Sequence, residues 1–295
     1  MVSAGDSGFR GRKIIKSREI FIFIKIPYNS PVKQLKILGV RIDDVTRQQV
    51  AENFATALRG TARFLRGKSF QHIATVNPEF LVEAEKNPKF RGILNKTALN
   101  ICDGVGISII SYFLIFFSNS FAKATEDKSR VFYQRKVNRI TGVEVAEILC
   151  RVCAEEGRSV YFLGGFGVAE KAAKKMQEKY PKLKIAGFED GNPAKISDQL
   201  LAAKPDAILV AFGAPKQEFW LDKFPRKIPS LRIGIGIGGT FDFWAGKTKR
   251  APQFIRKIGL EWLWRLILEP KIRGKRIWRA VFVFPYLVMR DFLKK

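Results

Sequence analysis

From about Leu35 the chain alternates between short, fully apolar runs and longer stretches with apolar residues three and four apart, the signatures of buried strands and amphipathic helices. Leu35-Lys-Ile-Leu-Gly39 opens the regular pattern, and Asp44 and Thr46 precede a helical run from Val50 to Leu58. A strand over Ile73–Thr75, a helix from Pro78 to about Glu85 and a helix-strand passage ending at Leu99-Asn-Ile-Cys102 follow. The second half predicts strands at Val160–Leu163, Leu183–Ala186, Ala207–Ala211 and Ile233–Ile237, separated by helices over Val168–Tyr180, Ile196–Ala203 and from Gln217. Strands apolar on both faces that alternate with helices predict an α/β fold: a Rossmann-like parallel sheet with helices on both faces.

In such sheets ligands bind beyond the carboxyl ends of the strands. Those ends carry Thr75 and Asn77, Asp103, Gly164 and Gly165, Gly213 to Glu218, and Gly238 to Asp242. Their convergence on one edge of the sheet is the main structural expectation.

The two ends of the chain read differently. Residues 1–33 form an N-terminal appendage expected to be poorly ordered, with a β-rich run at Ile20–Ile24 and a break at Pro27 to Pro31. Met1 to Lys16 is polar and basic without an apolar core, so no secretory leader is expected. Residues 34–246 form the core, and 247–295 a basic amphipathic helical tail with fourteen basic and three acidic residues. Tryptophans and phenylalanines are interleaved with those cations (Trp262, Trp264, Trp278, Phe282, Phe284), a pattern suited to the headgroup layer of an anionic membrane. Two other apolar runs, Val105–Phe117 and Ala280–Met289, fall short of the roughly 20 residues a bilayer requires.

Charge and cysteine content narrow the partners. The chain has 53 Lys and Arg against 27 Asp and Glu, a formal charge of +26, which calls for a polyanionic partner without choosing among lipid, phosphorylated substrate and nucleic acid. The unbroken apolar run at Ala280–Phe284 argues against a nucleic-acid arm. Three cysteines make no disulfide framework, and Cys150-x-x-Cys153 lies in a helical pattern with only His72 as a companion ligand type. It reads as buried helix cysteines rather than a zinc site.

Each strand-end motif has two readings. Gly164-Gly-Phe-Gly167 opening a helix suits a pyrophosphate, yet Glu170 occupies the place of the third small residue in a dinucleotide fingerprint. An NAD(P)-dependent oxidoreductase is therefore one alternative, and a non-enzymatic nucleic-acid binder another. Gln217 and Glu218 begin a helix and serve either as caps or as groups aimed into the crevice. Asp242 is either a sugar ligand or a partner for a cation such as Arg250. Thr75 and Asn77 are helix caps or substrate contacts, and Asp103 a turn former or a functional carboxylate.

Taken in order, these motifs resemble the WecG/TagA/CpsF glycosyltransferase family. The residues that carry the resemblance are Thr75-Val-Asn-Pro-Glu79, Asp103-Gly-Val-Gly106, Arg139-Ile-Thr-Gly142, Leu163-Gly-Gly165 and Gly213-Ala-Pro-Lys-Gln-Glu218. Further on stand Gly239-Thr-Phe-Asp-Phe-Trp-Ala-Gly246, Arg250-Ala-Pro252, and Gly259-Leu-Glu-Trp through Arg265 to Glu269-Pro270. Asn138 stands where the family has Glu, Glu144 where Asp is common, and residues 118–134 look like a polar insertion loop.

The resemblance implies inverting transfer of an N-acetylmannosamine-type sugar from a UDP-sugar to an undecaprenyl-diphosphate-linked acceptor, in cell-surface polysaccharide or teichoic acid synthesis. It implies Asp103 as catalytic base, with Thr75, Asn77, Arg139, Gly164, Gly165, Gln217, Glu218, Asp242, Arg250 and Arg265 as substrate-binding residues. No D-x-D occurs in the sequence, so no metal or other cofactor is expected, and the diphosphate charge falls to Arg139, to arginines of the basic tail, and to helix N-termini and glycine-loop amides. The expected place is peripheral, on the cytoplasmic face of the cell membrane, with no nucleic-acid partner; a homo-oligomer is compatible with the sequence.

Overall fold

A computed structural model describes residues 32–60, 70–125 and 137–293. The appendage, including the strand expected at Ile20–Ile24, lies outside the described residues except for its last two positions. The chain begins with a hairpin, β1 (Lys33–Ile37) and β2 (Val40–Asp44), joined by Leu38-Gly39. Both turn residues have positive φ, 48° and 74°, the backbone that a two-residue hairpin turn requires to match strand twist. The alternation at Leu35 to Gly39 is thus half of an antiparallel pair.

There follow α1 (Arg47–Leu58), β3 (Gln71–Val76), α2 (Pro78–Lys86), α3 (Pro88–Lys96), β4 (Leu99–Cys102), α4 (Val105–Thr125) and α5 (Gly142–Glu155). The second half contains β5 (Ser159–Gly164), α6 (Ala169–Lys179), β6 (Lys184–Glu189), α7 (Asp198–Ala203), β7 (Ala207–Ala211), α8 (Lys216–Lys223), β8 (Ile233–Gly236) and α9 (Thr240–Trp244). The tail comprises α10 (Gln253–Lys257), α11 (Glu261–Leu268), α12 (Pro270–Trp278), a π-helical turn at Arg279–Val283, and α13 (Phe284–Leu293). Local sequence fixes several starts. Thr46 and Gln49 form a capping box on α1, Thr141 and Glu144 another on α5, and Asn77 and Asn87 cap helices that begin with proline.

Among the described residues, eight strands form one sheet in the order β1-β2-β4-β3-β8-β7-β5-β6. All pairings are parallel except the β1–β2 edge, so the sheet is mixed and mostly parallel, a departure from the all-parallel expectation. Successive strand residues point to opposite faces, and each face carries its own core. On β5, Val160 and Phe162 join α1, α5, α6 and α9 on one side; Tyr161 and Leu163 join α7 and α8 on the other. The same second face, beneath β3, packs Ala74 and Val76 against α2, α3, α4 and α13.

Two expectations need amending. Residues 118–125, read as the start of an insertion loop, continue α4; 126–136 lie outside the described residues. The apolar stretch beginning at Val105 is accordingly longer as a helix than its hydrophobic run. Among the described residues no helix is long and apolar enough to cross a membrane. Cys150 and Cys153 are buried in α5, and burial pushes both thiols well above their ordinary pKa, as expected of core cysteines.

Candidate active site

At the carboxyl ends of β3 and β4 the motif residues lock into one another. Asn77 caps α2 by accepting from the Phe80 N–H, which sets Pro78 against the following strand's turn. There Gly104 presses on the Pro78 ring so closely that any side chain at 104 would collide with it. The Asp103 N–H donates to the Val76 carbonyl at 2.9 Å, and the Ile140 N–H to that of Cys102 at 2.9 Å, so the strand end is held from both sides. A Cβ at Gly142 would stand 3.3 Å from Thr75 Oγ1 and 3.5 Å from Asp103 Oδ2. Thr75, Asp103 and the first residue of α5 therefore share one small space, and a side chain there would press on both.

These elements form the floor of a cavity of about 430 Å³. Its roof is the tail: Glu261, Trp262 and Arg265 from α11, Arg273 and Arg276 from α12, and Phe284 at the start of α13. Phe284 is fully buried and, with Leu287 and Val288, fixes the tail against the core beside α2. Arg276 Nε donates to Glu79 Oε2 at 2.6 Å and Arg290 to Glu85 Oε1 at 2.6 Å. Gly259 is packed against Val105, and Arg139, from the floor, donates to the Arg256 carbonyl at 2.9 Å.

Asp103 is half-buried on the cavity wall. Loss of water around its carboxyl pushes its pKa up to about 7; the Gly142 N–H and Arg139 oppose this, while Glu261 and Glu144 add to it. A carboxylate tuned close to neutrality is a competent proton acceptor at physiological pH. The cations around it differ in how they are neutralised. Arg273 pairs with Glu269 at 2.6 Å, Arg276 with Glu79, and Glu261 with Arg250 at 3.4 Å. Among the described residues, Arg139 and Arg265 have no carboxylate in ion-pair range. Arg265 lies 4.7 Å over the Phe243 ring with its Nε buried and unpartnered. Burial, then the neighbouring Arg273, lowers its pKa to about 10, which leaves it charged at neutral pH. A pair of guanidiniums without carboxylate partners in a partly dry cleft is a receptor for an anionic group.

Of the residues singled out in sequence, Asn77, Asp103, Arg139 and Arg265 line this cavity. Thr75 is buried one layer below, donating to the Gly236 carbonyl at 3.1 Å and so tying β3 to β8. The others do not line it. A Cβ at Gly164 would meet the Ala211 backbone at 2.9 Å, and one at Gly165 the Phe241 ring at 2.9 Å, so these glycines admit neighbouring protein. Gln217 is buried, its Oε1 accepting from the Gly213 and Gly238 N–H groups at 3.1 and 3.0 Å. Its Nε2 donates to Glu218 Oε1 at 2.8 Å; Glu218 is fully buried, its other oxygen has no partner, and burial pushes its pKa to about 8. Asp242 approaches Lys247 at 3.7 Å, whereas Arg250 faces Glu261, so the Asp242–Arg250 pairing considered from sequence does not form.

Sequence reasoning passed over Glu261, Phe243, Arg273 and Arg276. Glu261 and Phe243 lay within motifs already noted, and the two arginines fall three apart, on one helical face.

A cavity at the carboxyl ends of parallel strands, with a near-neutral carboxylate facing unpaired guanidiniums, suits a group-transfer enzyme with an anionic substrate. The chain belongs to the Glycosyl transferase WecG/TagA/CpsF family, which it matches over residues 35–122 and 128–295. It is a glycosyltransferase. The unmatched residues 123–127 fall inside the region read as an insertion. Among curated relatives, an N-acetylglucosaminyldiphosphoundecaprenol N-acetyl-beta-D-mannosaminyltransferase of Bacillus spizizenii is 28% identical over 73% of this chain and 76% of its own length. A Bacillus subtilis protein of the same name is 31% identical over 67% of this chain and 72% of its own. One from Staphylococcus aureus is 27% identical over 88% and 94%.

Proposed function

We propose that the protein is an inverting glycosyltransferase that moves an N-acetylmannosamine-type sugar from a UDP-sugar to the terminal sugar of a lipid-diphosphate acceptor, in the synthesis of a cell-surface polysaccharide or teichoic acid. On this reading the sheet is a Rossmann-like nucleotide-binding fold. The observation that carries the reading is the Asp103 carboxyl, held near neutrality at the end of β4 inside an arginine-rimmed cavity.

Asp103 takes the proton from the acceptor hydroxyl as that oxygen attacks the anomeric carbon. The bond to the UDP oxygen breaks on the opposite face, which inverts the centre. The diphosphate carries away the electron pair, and its growing charge is met by Arg265 and Arg139, aided by Arg273 and Arg276. Asn77 borders the sugar. Thr75, Gly164, Gly165, Gln217 and Glu218 act beneath the surface by fixing the strand ends; Asp242 and Arg250 hold the Gly239 loop and Glu261 from behind. The basic tail seats the enzyme peripherally on the anionic cytoplasmic face of the membrane, where a lipid-linked acceptor lies.

The test is a screen of UDP-sugars for UDP release with a lipid-diphosphate-N-acetylglucosamine acceptor. Acceptor-dependent release from UDP-N-acetylmannosamine is expected. Turnover only with another donor would overturn the sugar assignment, and no turnover with any donor the acceptor chemistry.

A further inference from the structure

The side of α4 that faces away from the core is apolar. Ile109, Tyr112, Phe113 and Phe116 recur at positions i, i+3, i+4 and i+7 and are 48%, 61%, 51% and 60% exposed. The inner side of the same helix holds Ser108 and Ser111, both buried and hydrogen-bonded. Fully buried Ile107 packs in the core on that inner side as well, so the helix is apolar on both sides, whereas a helix resting on a core in water carries a polar outer side. No charged residue occurs from Val105 to Ala122.

A second apolar strip lies on the tail. Trp278, Phe282 and Tyr286 repeat every four residues and are each more than half exposed; the first two rings lie tilted against each other with centroids 4.3 Å apart. The two strips meet at the cavity. Ile109 of α4 and Val281 of the tail both line it, and both are open to the surface, 48% and 38%. Between them the inner wall continues through Ile110, Ile277 and Ala280. Two exposed apolar faces, each reaching the wall of one cavity through Ile109 or Val281, present more apolar surface than isolated surface residues account for. Exposed Lys271 and Lys275 on the tail supply positive charge beside it.

We propose that α4 is a second membrane-seating element. Its Ile109–Phe116 face enters the acyl layer of an anionic bilayer beside the tail, so that the mouth of the cavity opens into hydrocarbon between the two helices. The inference rests on the tail's membrane seat described above and extends it to a part of the core domain. The consequence is a route for the acceptor: its lipid chain stays in the bilayer between Tyr112 and Phe282 while its diphosphate and sugar reach the arginines and Asp103.

The three cysteines are buried, so a single new surface cysteine can be labelled selectively. Tyr112→Cys and Phe282→Cys, each carrying an environment-sensitive fluorophore, are titrated with phosphatidylglycerol-containing vesicles. Both labels are expected to shift to the blue with roughly threefold or greater enhancement, as for groups buried at the acyl boundary. A response at 282 without one at 112 overturns the role of α4 and leaves the tail seat standing. Silence at both positions overturns the seat itself. A response at 112 that grows with protein concentration in the absence of vesicles means that a second copy covers α4, which also overturns the proposal. The Tyr112→Glu, Phe113→Glu double variant adds a functional readout. Transfer to a water-soluble, short-chain acceptor is expected to stay within about twofold, while transfer to a vesicle-embedded acceptor falls about tenfold or more. Equal loss on both acceptors, or on neither, overturns it.

Discussion

The two halves of the sheet present similar motifs at their carboxyl ends and use them differently. At β3 and β4 the polar residues surround a cavity: Asn77 and Asp103 face it, and Arg139 crosses from floor to roof. At β5 and β7 the glycines and the Gln217-Glu218 pair face protein. Gly164 lies against the β7 backbone, and Gln217 staples the Gly213 and Gly238 loops together. The difference follows from what lies above each half. The tail docks over the β3–β4 side through Phe284, Arg276 and Arg290, which encloses a space there. A strand-end motif thus lines a cavity where a second element roofs it.

The comparison breaks most sharply at Asp103. Replacement by Asn preserves shape and removes the proposed base, so kcat is expected to fall about 10³-fold, near the middle of the range for a positioned general base. Unchanged far-ultraviolet dichroism and donor binding would show the fold intact; a loss below about tenfold would remove Asp103 from the chemistry. The same carboxyl predicts the pH profile. The base must be deprotonated and its pKa lies near 7, so the rate rises with pH through that value and levels off above it. A flat profile between pH 6 and 8 would mean that another group accepts the proton.

The next largest effect tests the roof. Phe284 is fully enclosed at the tail's docking point. Phe284→Ala removes a ring whose loss in a core costs about 3 kcal/mol or more, which loosens the tail at its most deeply buried contact. Expected is a fall of about 30-fold in kcat/KM with the sheet domain's melting transition retained. The exposed neighbour Phe282→Ala should leave transfer to a soluble acceptor near normal. Equal behaviour of the two variants would show that the tail does not roof the site.

Much of this was legible in the sequence, and the limits were physical. Strand and helix positions followed from periodicity, because each β-strand packs both faces and each capping box declares its helix. The antiparallel β1–β2 edge was missed because its turn, Leu38-Gly39, puts a leucine at positive φ, which turn chemistry does not suggest. Asp103 stood out because strand ends are where parallel sheets bind ligands, Arg139 only through the family motif it opens, and the structure places both on the cavity wall. Arginines of the tail were expected at the diphosphate, but Glu261, Arg273 and Arg276 were not singled out, because which tail residues reach the cavity depends on where a terminal segment folds back. Gln217 and Gly164 read differently: polarity and glycine content marked them as ligand contacts, and in the structure the same properties serve close packing of loops.

The smallest effect on rate, and the most selective for the structural half, belongs to Glu218. It is fully buried, accepts from Gln217 on one oxygen and has no partner for the other. Burial raises its pKa from 4.5 to about 8, so at neutral pH the folded protein holds a proton that the unfolded chain has already released. Folding stability must then decline as pH climbs from about 4.5 through 8, since the native state binds more protons over that interval. Glu218→Gln keeps the shape and an acceptor for Gln217 while abolishing the titration. Transfer is expected to stay within about twofold, because the side chain does not reach the cavity. Its melting temperature should match the wild type near pH 4, exceed it at pH 9, and vary less between. Parallel curves would show that the buried carboxyl does not hold its proton. A large fall in kcat with unchanged stability would move Glu218 from the packing half of the sheet to the chemical one.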